Sequence, residues 1–108
     1  MPPQYIRGHV VNVWYPYDDI PDGKTRPGIV LDKCGDAEYT IMYITTTDLR
    51  GKFKGKWVTK NSTSGKLMKL REDSFVHYER VKDLKVIFID SYRGRCDFMD
   101  EIEEATGL

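Results

Sequence analysis

The residue best suited to chemistry in this chain is Arg26, which comes immediately before Pro27. Proline holds its own φ at about −65° and moves the preceding residue out of the helical region, so we expect Arg26 to be extended. The apolar run Ile29-Val30-Leu31 that follows predicts a buried strand. At the rim of a small barrel, a guanidinium at a strand start can present its N–H donors to a phosphate. The alternative interpretation of this motif is a surface arginine at a strand start, without a functional role.

A second candidate site is the segment from Arg50 to Arg71, which is basic and contains no carboxylate. Its cations are Arg50, Lys52, Lys54, Lys56, Lys60, Lys66, Lys69 and Arg71. The segment from Asp97 to Glu104 is acidic instead, and the charges of the whole chain cancel. Opposed blocks of this kind can form a basic patch for a polyanion. A solvated lysine loop is the alternative interpretation.

Several aromatic side chains could stack on unpaired bases near these cations. The candidates are Trp14, Tyr15, Tyr17, Phe53 and Trp57. Because most aromatic residues in a chain of this size belong to the core, we expect one or two of them at a groove. His9 and His77 are the only histidines, and their spacing from the two cysteines is not that of a zinc site. His77, four residues after Asp73, could be an accessory acid or base. The alternative is a histidine that simply packs in a strand.

The elements that would position these residues are mostly strands. Their β-forming residues and intervening turns predict strands over 9–15, 26–32, 39–46, 56–59, 74–78 and 86–89, with a turn over 16–23. Glycines and small polar residues predict a loop over 51–65. Phe98, Ile102 and Ala105 form one helical stripe, which predicts a helix with Asp97 as N-cap and Gly107 as terminator. Short strands at close spacing predict a small barrel.

Length and composition predict one domain over residues 1–108, with enough apolar residues for a single core. No apolar run approaches the roughly 20 residues of a membrane span, and Met1 to Gln4 lack the pattern of a signal peptide. We expect Cys34 and Cys96 to be reduced thiols, because a disulfide scaffold uses cysteine more densely. These features predict a cytoplasmic protein that does not associate with a membrane.

Four segments, in this order, resemble the PemK/MazF toxins of toxin–antitoxin modules. They are Gly8-His9-Val10-Val11-Asn12-Val13, Arg26-Pro27-Gly28-Ile29-Val30-Leu31, Ile44-Thr45-Thr46 and Asp73-Ser74-Phe75-Val76. The resemblance spans nearly the whole chain and implies an SH3-like barrel with helices that forms a homodimer. It also implies cleavage of single-stranded RNA at short sequences, without a metal or other cofactor. An antitoxin whose disordered tail occupies the RNA groove would silence the enzyme.

The resemblance further implies a set of catalytic residues. Arg26 matches the arginine that contacts the scissile phosphate, and Thr45 matches the threonine at the end of the third strand. Arg71-Glu72-Asp73 matches an Arg-x-Asp of the PemK branch, in which the carboxylate is the base and the arginine the acid. From the basic segment and its neighbours we expect RNA to be bound by Thr46, Lys52, Lys54, Lys56 and Trp57.

The chemistry of such a site is simple, because RNA supplies its own nucleophile, the 2′-OH. An enzyme then needs a base, which could be Asp73, and positive donors for the phosphate. Guanidinium groups stay protonated in proteins, so Arg26 and Arg71 are better electrostatic stabilisers than acids. Thr45 or Thr46 could hydrogen-bond a phosphate oxygen. The expected product is a 2′,3′-cyclic phosphate.

Other functional classes stay open at this point. The PemK branch carries a histidine in the loop before the Arg-Pro motif, whereas the segment from Tyr15 to Thr25 contains none. This difference favours a catalytically inactive SH3-like module that binds a peptide, a protein or nucleic acid. The joint presence of the four catalytic matches favours the ribonuclease. A gyrase poison of the same superfold is a third hypothesis, which the acidic C-terminal segment does not specifically support.

Overall fold

Runs of β-branched and aromatic residues form one antiparallel sheet in a computed structural model of the chain, which describes residues 4–16 and 23–108. Within those residues the strands are β1 His9–Pro16, β2 Gly23–Lys33, β3 Glu38–Thr45, β4 Gly55–Val58, β5 Ser74–Lys85 and β6 Ile89–Arg95. The helix α1 Thr63–Leu67 lies between β4 and β5, a 3-10 turn at Val86–Phe88 lies between β5 and β6, and the helix α2 Met99–Thr106 follows β6. The strand order across the sheet is β4-β5-β3-β2-β1-β6. The prediction of a mainly β protein is confirmed.

Apolar side chains alternate between the two faces of the sheet, so both faces are covered by apolar clusters. In β1, Val10 packs into one apolar cluster and Val11 into the other, as expected from the period of two in a strand. The first cluster contains Val10, Ile29, Leu31, Met42, Ile44, Val58, Met68, Leu70, Val76, Cys96, Phe98 and Ile102. The second contains Tyr5, Val11, Val13, Tyr15, Val30, Tyr39, Ile41, Leu84 and Ile89. The α2 helix contributes Ile102 to the first cluster, which it covers.

The sheet curls until its β6 edge meets the segment that follows α1. Arg93 Nε donates to the Lys69 carbonyl oxygen at 2.9 Å. Gly94 lies so close to this segment that an added Cβ would be 3.0 Å from the Met68 carbonyl carbon. Because the segment leads directly into β5, the two sides of the sheet approach one another. This curvature is consistent with a small barrel.

The first three predicted strands are confirmed to within a few residues, and β4 lies within one residue of its prediction. The predicted turn over 16–23 falls largely on residues 17–22, outside the described residues. The strand predicted over 86–89 is wrong, because Val86–Phe88 forms a 3-10 turn and the strand begins at Ile89. Only Ile89 and Gly94 of β6 are buried, so the hydrophobic pattern of this strand is weak.

The helices also depart from prediction. The loop predicted over 51–65 contains the start of α1, where Ser62 Oγ accepts from the Gly65 N–H at 3.0 Å as an N-cap. The N-cap of α2 is Phe98, without a side-chain cap, so the assignment of Asp97 is wrong. Gly107 ends α2 in the left-handed conformation with φ 76°, as predicted. Ala105 of the predicted stripe is exposed.

Cys34 and Cys96 are free thiols, one exposed and one buried. Burial raises the pKa of the Cys96 thiol to about 11, which keeps it protonated at neutral pH. Among the described residues, no helix is long and apolar enough to cross a membrane.

Gly28 is required for the close packing of Tyr15 on β2. A Cβ at this position would overlap the Tyr15 hydroxyl and lie 2.6 Å from Ile41 Cγ2. We expect Gly28→Ala to lower the free energy of unfolding by about 1–3 kcal/mol, because overpacking forces its neighbours to shift. Urea denaturation measures the change. Gly35→Ala is the control, since only Glu38 Cβ lies near at 3.8 Å; equal stability of the two variants would contradict the packing role of Gly28.

Candidate functional site: a cationic groove across the sheet

The register of β2 and β3 brings Arg26 and Thr45 together. Gly28 pairs with Tyr43, and two residues further along the same register Arg26 comes opposite Thr45. Directly opposite side chains project from the same face of a sheet. Arg26 Nη1 donates to Thr45 Oγ1 at 3.3 Å, a long hydrogen bond that occupies one nitrogen of the guanidinium. Two of the residues predicted to be catalytic are therefore neighbours.

This pair lies in a groove of about 400 Å³ that crosses four strands. Its floor comes from β1, β2, β3 and β5, and its wall from the loop after β3. The lining residues are Tyr15, Lys24, Arg26, Tyr43, Thr45, Thr47, Leu49, Phe53, His77 and Arg80. Lys24, Arg26 and Arg80 supply positive charge, and no carboxylate is among these lining residues. Such a concave cationic surface favours an anionic ligand.

A bulge in β5 shapes one side of the groove. Met42 pairs with Val81 and Ile44 with Val76, so four residues of β5 lie opposite the single residue Tyr43. Bulges of this kind turn side chains away from the regular pattern and are frequent beside functional sites. Two groove residues, His77 and Arg80, belong to this bulge.

Tyr43 lies between two other groove side chains. Its ring centroid is 3.9 Å from that of Tyr15, and Arg80 Cζ lies 4.9 Å from the centre of the Tyr43 ring. Tyr15 Oη donates to the Pro27 carbonyl oxygen at 3.4 Å. Burial raises the pKa of Tyr15 far above its usual value, so this hydroxyl stays protonated. The packed rings fix the position of the Arg80 guanidinium at the groove surface.

A second, smaller cleft of about 220 Å³ shares Lys24, Arg26 and Thr45 with the groove. Its lining also includes Thr46 and one acidic residue, Glu72. The Arg26–Thr45 pair therefore separates a cationic groove from a cleft that holds a candidate base. The sequence interpretation did not select Glu72, because it is the unspecified residue of the Arg-x-Asp match.

Arg71 and Asp73 line neither the groove nor the smaller cleft. Asp73 Oδ1 accepts from the Lys60 N–H at 2.9 Å and so ties the turn before α1 to the start of β5. Burial, and then the positive charge of Arg71, lower the pKa of Arg93, which places Arg71 on the side of β6. Of the four predicted catalytic residues, the structure brings together Arg26 and Thr45.

The basic segment is partly neutralised by carboxylates outside it. Lys56 Nζ lies 3.1 Å from Glu101 Oε1 of α2. Arg50 pairs with Asp48 at 2.7 Å, and its hydrogen bonds lower the pKa of Asp48 to about 2. Arg50 Cζ also lies 4.7 Å from the centre of the Trp57 ring. The remaining exposed cations of this segment can still attract a polyanion.

Among the residues predicted to bind RNA, Thr46 lines the smaller cleft. Lys52 and Lys54 are exposed in the loop before β4. Phe53, between them, is the aromatic residue of this loop that lines the groove. The groove cations Lys24, Arg26 and Arg80 come from strands β2 and β5, where no run of basic residues indicates a binding site.

Comparison with known proteins assigns no family. No protein-family model matches the chain, and no curated protein sequence matches it significantly.

Proposed function

We propose that this protein is a metal-independent, sequence-specific endoribonuclease toxin of the PemK/MazF type, which cleaves single-stranded RNA. The observation that carries the proposal is the Arg26–Thr45 pair, held between a cationic groove with no carboxylate among its described lining residues and a cleft lined by Glu72. A single strand can follow such a groove through its phosphates while the reacting phosphate lies beside Arg26.

In the proposed reaction, the 2′-oxygen forms a bond to phosphorus and the bond from phosphorus to the 5′-oxygen breaks. Negative charge grows on the phosphoryl oxygens, where Arg26 and the Thr45 hydroxyl donate hydrogen bonds. Glu72 accepts the 2′-OH proton from the smaller cleft. Lys24, which lines both spaces, donates a proton to the departing 5′-oxygen. The products are a 2′,3′-cyclic phosphate and a 5′-hydroxyl, and the substrate hydroxyl does the work of a metal-bound water.

The same proposal covers the assembly and its regulation. We infer an SH3-like barrel that forms a homodimer in the cytoplasm, with a cognate antitoxin as its protein partner. An acidic antitoxin segment would compete with RNA for Lys24, Arg26 and Arg80. Both interactions should weaken with salt, since exposed charges are screened and counterions are released.

The purified protein should cut single-stranded RNA at a short sequence in the presence of EDTA. It should leave single-stranded DNA of the same sequence intact, because DNA lacks the 2′-OH. Sequencing of the cleaved ends of an RNA pool measures both the activity and the recognised sequence. Salt-dependent RNA binding without any cleavage would overturn the enzyme and support a binding module instead.

A further inference from the structure

We propose that the groove carries a subsite for one unpaired keto base, uracil or guanine, which is read by His77 and Arg80 and stacked on Phe53. The inference depends on the proposed RNA substrate but not on its cleavage. It assigns recognition of the RNA sequence to His77, Arg80 and Phe53, three residues outside the Arg26–Thr45 pair.

His77 presents a hydrogen-bond donor to the groove. The side chain is 8% exposed and lines the groove. Its Nδ1 accepts from the Glu79 N–H at 3.2 Å, which assigns the proton of the neutral ring to Nε2. Among the described residues, this Nε2–H has no hydrogen-bond partner. Burial lowers the pKa of His77, which favours the neutral ring.

The bulge in β5 explains why this donor is fixed in place. Because four residues lie opposite Tyr43, the Glu79 N–H points to the His77 ring rather than into the ladder with β3. Phe75 packs edge-on against the ring with centroids 5.8 Å apart, and Phe53 covers it at 4.9 Å. A ring held on three sides is a preorganised reader of a base edge.

Phe53 supplies the surface on which a base can stack. It is 49% exposed, although it lies against His77 and lines the groove. An exposed aromatic face beside a cationic groove is the arrangement that single-stranded nucleic acids use, since every base has a π-face. Arg80, held over Tyr43, adds N–H donors on the same side of the groove.

The donor-rich lining selects the kind of base. Uracil and guanine present a carbonyl oxygen at the position where cytosine and adenine present an amino group. His77 Nε2–H and the Arg80 guanidinium can donate to that carbonyl. An amino group would face these donors, and none of the lining residues in the described part of the chain has a carboxylate to accept from it. A bound amino base would cover these donors without pairing with them, which would lower the affinity.

The test uses 2′-O-methyl oligonucleotides, which cannot be cleaved because the nucleophile is blocked. Fluorescence anisotropy at pH 7.5 compares oligouridine with oligocytidine, and an inosine-containing strand with its adenine counterpart. In each pair, a carbonyl group beside a protonated ring nitrogen replaces an amino group beside an unprotonated one, at every nucleotide of the homopolymers and at the substituted position of the inosine strand. We expect about tenfold or greater preference for the keto member, the order of magnitude that one specific base contact provides.

Variants of His77 and His9 show whether His77 causes the preference for keto bases. His77→Phe keeps a ring but removes one of the two donors, so it should strongly reduce the preference while retaining the salt-dependent affinity. His77→Gln keeps an N–H donor and should retain part of the preference. His9→Phe, at the other histidine, is the control and should behave as wild type. Circular dichroism confirms that each variant is folded.

Equal binding of keto and amino bases by the wild type would overturn the subsite, and so would a full preference in folded His77→Phe. Neither result bears on cleavage of ordinary RNA, which is measured separately. Conversely, a keto preference in a protein that cuts no RNA would retain the subsite and overturn the proposed enzyme. Binding of an acidic peptide but of no oligonucleotide would overturn the subsite in favour of a protein ligand.

Discussion

Arg26→Ala is expected to slow RNA cleavage by about 100- to 1000-fold, the usual effect of removing one preorganised donor to a developing anion. Arg26 is partly exposed and its one described side-chain hydrogen bond, to Thr45, is long. The melting temperature should therefore stay close to that of the wild type. Single-turnover cleavage of a labelled RNA measures the rate separately from binding.

Two control variants sharpen the Arg26 experiment. Arg26→Lys keeps the charge but loses the planar fork, so it should recover only part of the rate. Arg95→Ala removes an exposed cation from β6, away from the groove, and should cut at nearly the wild-type rate. Equal rates for Arg26→Ala and wild type would show that the reacting phosphate lies elsewhere.

Glu72→Gln should slow cleavage by about 100-fold or more, because an amide cannot accept the 2′-OH proton as a base does. RNA binding should be unchanged or slightly tighter, since the substitution removes a negative charge beside the phosphate. Pre-steady-state cleavage with saturating enzyme measures the chemical step.

Asp73→Asn is the matched control for Glu72→Gln. The asparagine Oδ1 can still accept from the Lys60 N–H, so the turn before α1 should be retained and cleavage should remain near the wild-type rate. The reverse outcome, in which Asp73→Asn loses activity and Glu72→Gln keeps it, would assign the base to Asp73 as the Arg-x-Asp match implies.

The resemblance of the ordered segments singled out Arg26 and Thr45, but it did not predict that their side chains meet. Thr45 is the last residue of β3 and Arg26 the fourth residue of β2, so only the register between the two strands brings them together. The positions of Glu72 at the smaller cleft and of Asp73 at the Lys60 N–H were not predictable, because both residues lie before β5, where no strand period fixes the side-chain directions.

The groove side of β5 depends on a feature with no local signal. The bulge opposite Tyr43 places His77 and Arg80 in the groove, and its existence follows from how β5 pairs with both β3 and β4. Strand β6 was missed for a related reason, since an edge strand with two buried residues shows little periodicity. The pairing of strands in the folded chain therefore determines both the bulge in β5 and strand β6.

The sequence alone does not show which cations of the basic segment are neutralised by ion pairs. Its cations are real, but Lys56 pairs with Glu101, 45 residues away, and Arg50 pairs with Asp48 just before the segment. Only the fold shows which charges are neutralised. The cations that line the groove come from strands, where they are spaced among apolar and polar residues and form no run.

The most direct test of the central claim is the chemistry of the cut ends. Wild-type protein should cleave a defined single-stranded RNA in EDTA, and mass spectrometry of the products should show a 2′,3′-cyclic phosphate on one fragment and a 5′-hydroxyl on the other. A single 2′-deoxy substitution at the cleaved nucleotide should prevent the reaction. A 3′-hydroxyl with a 5′-phosphate, or undiminished cutting of the deoxy-substituted strand, would contradict attack by the 2′-OH at the Arg26–Thr45 groove.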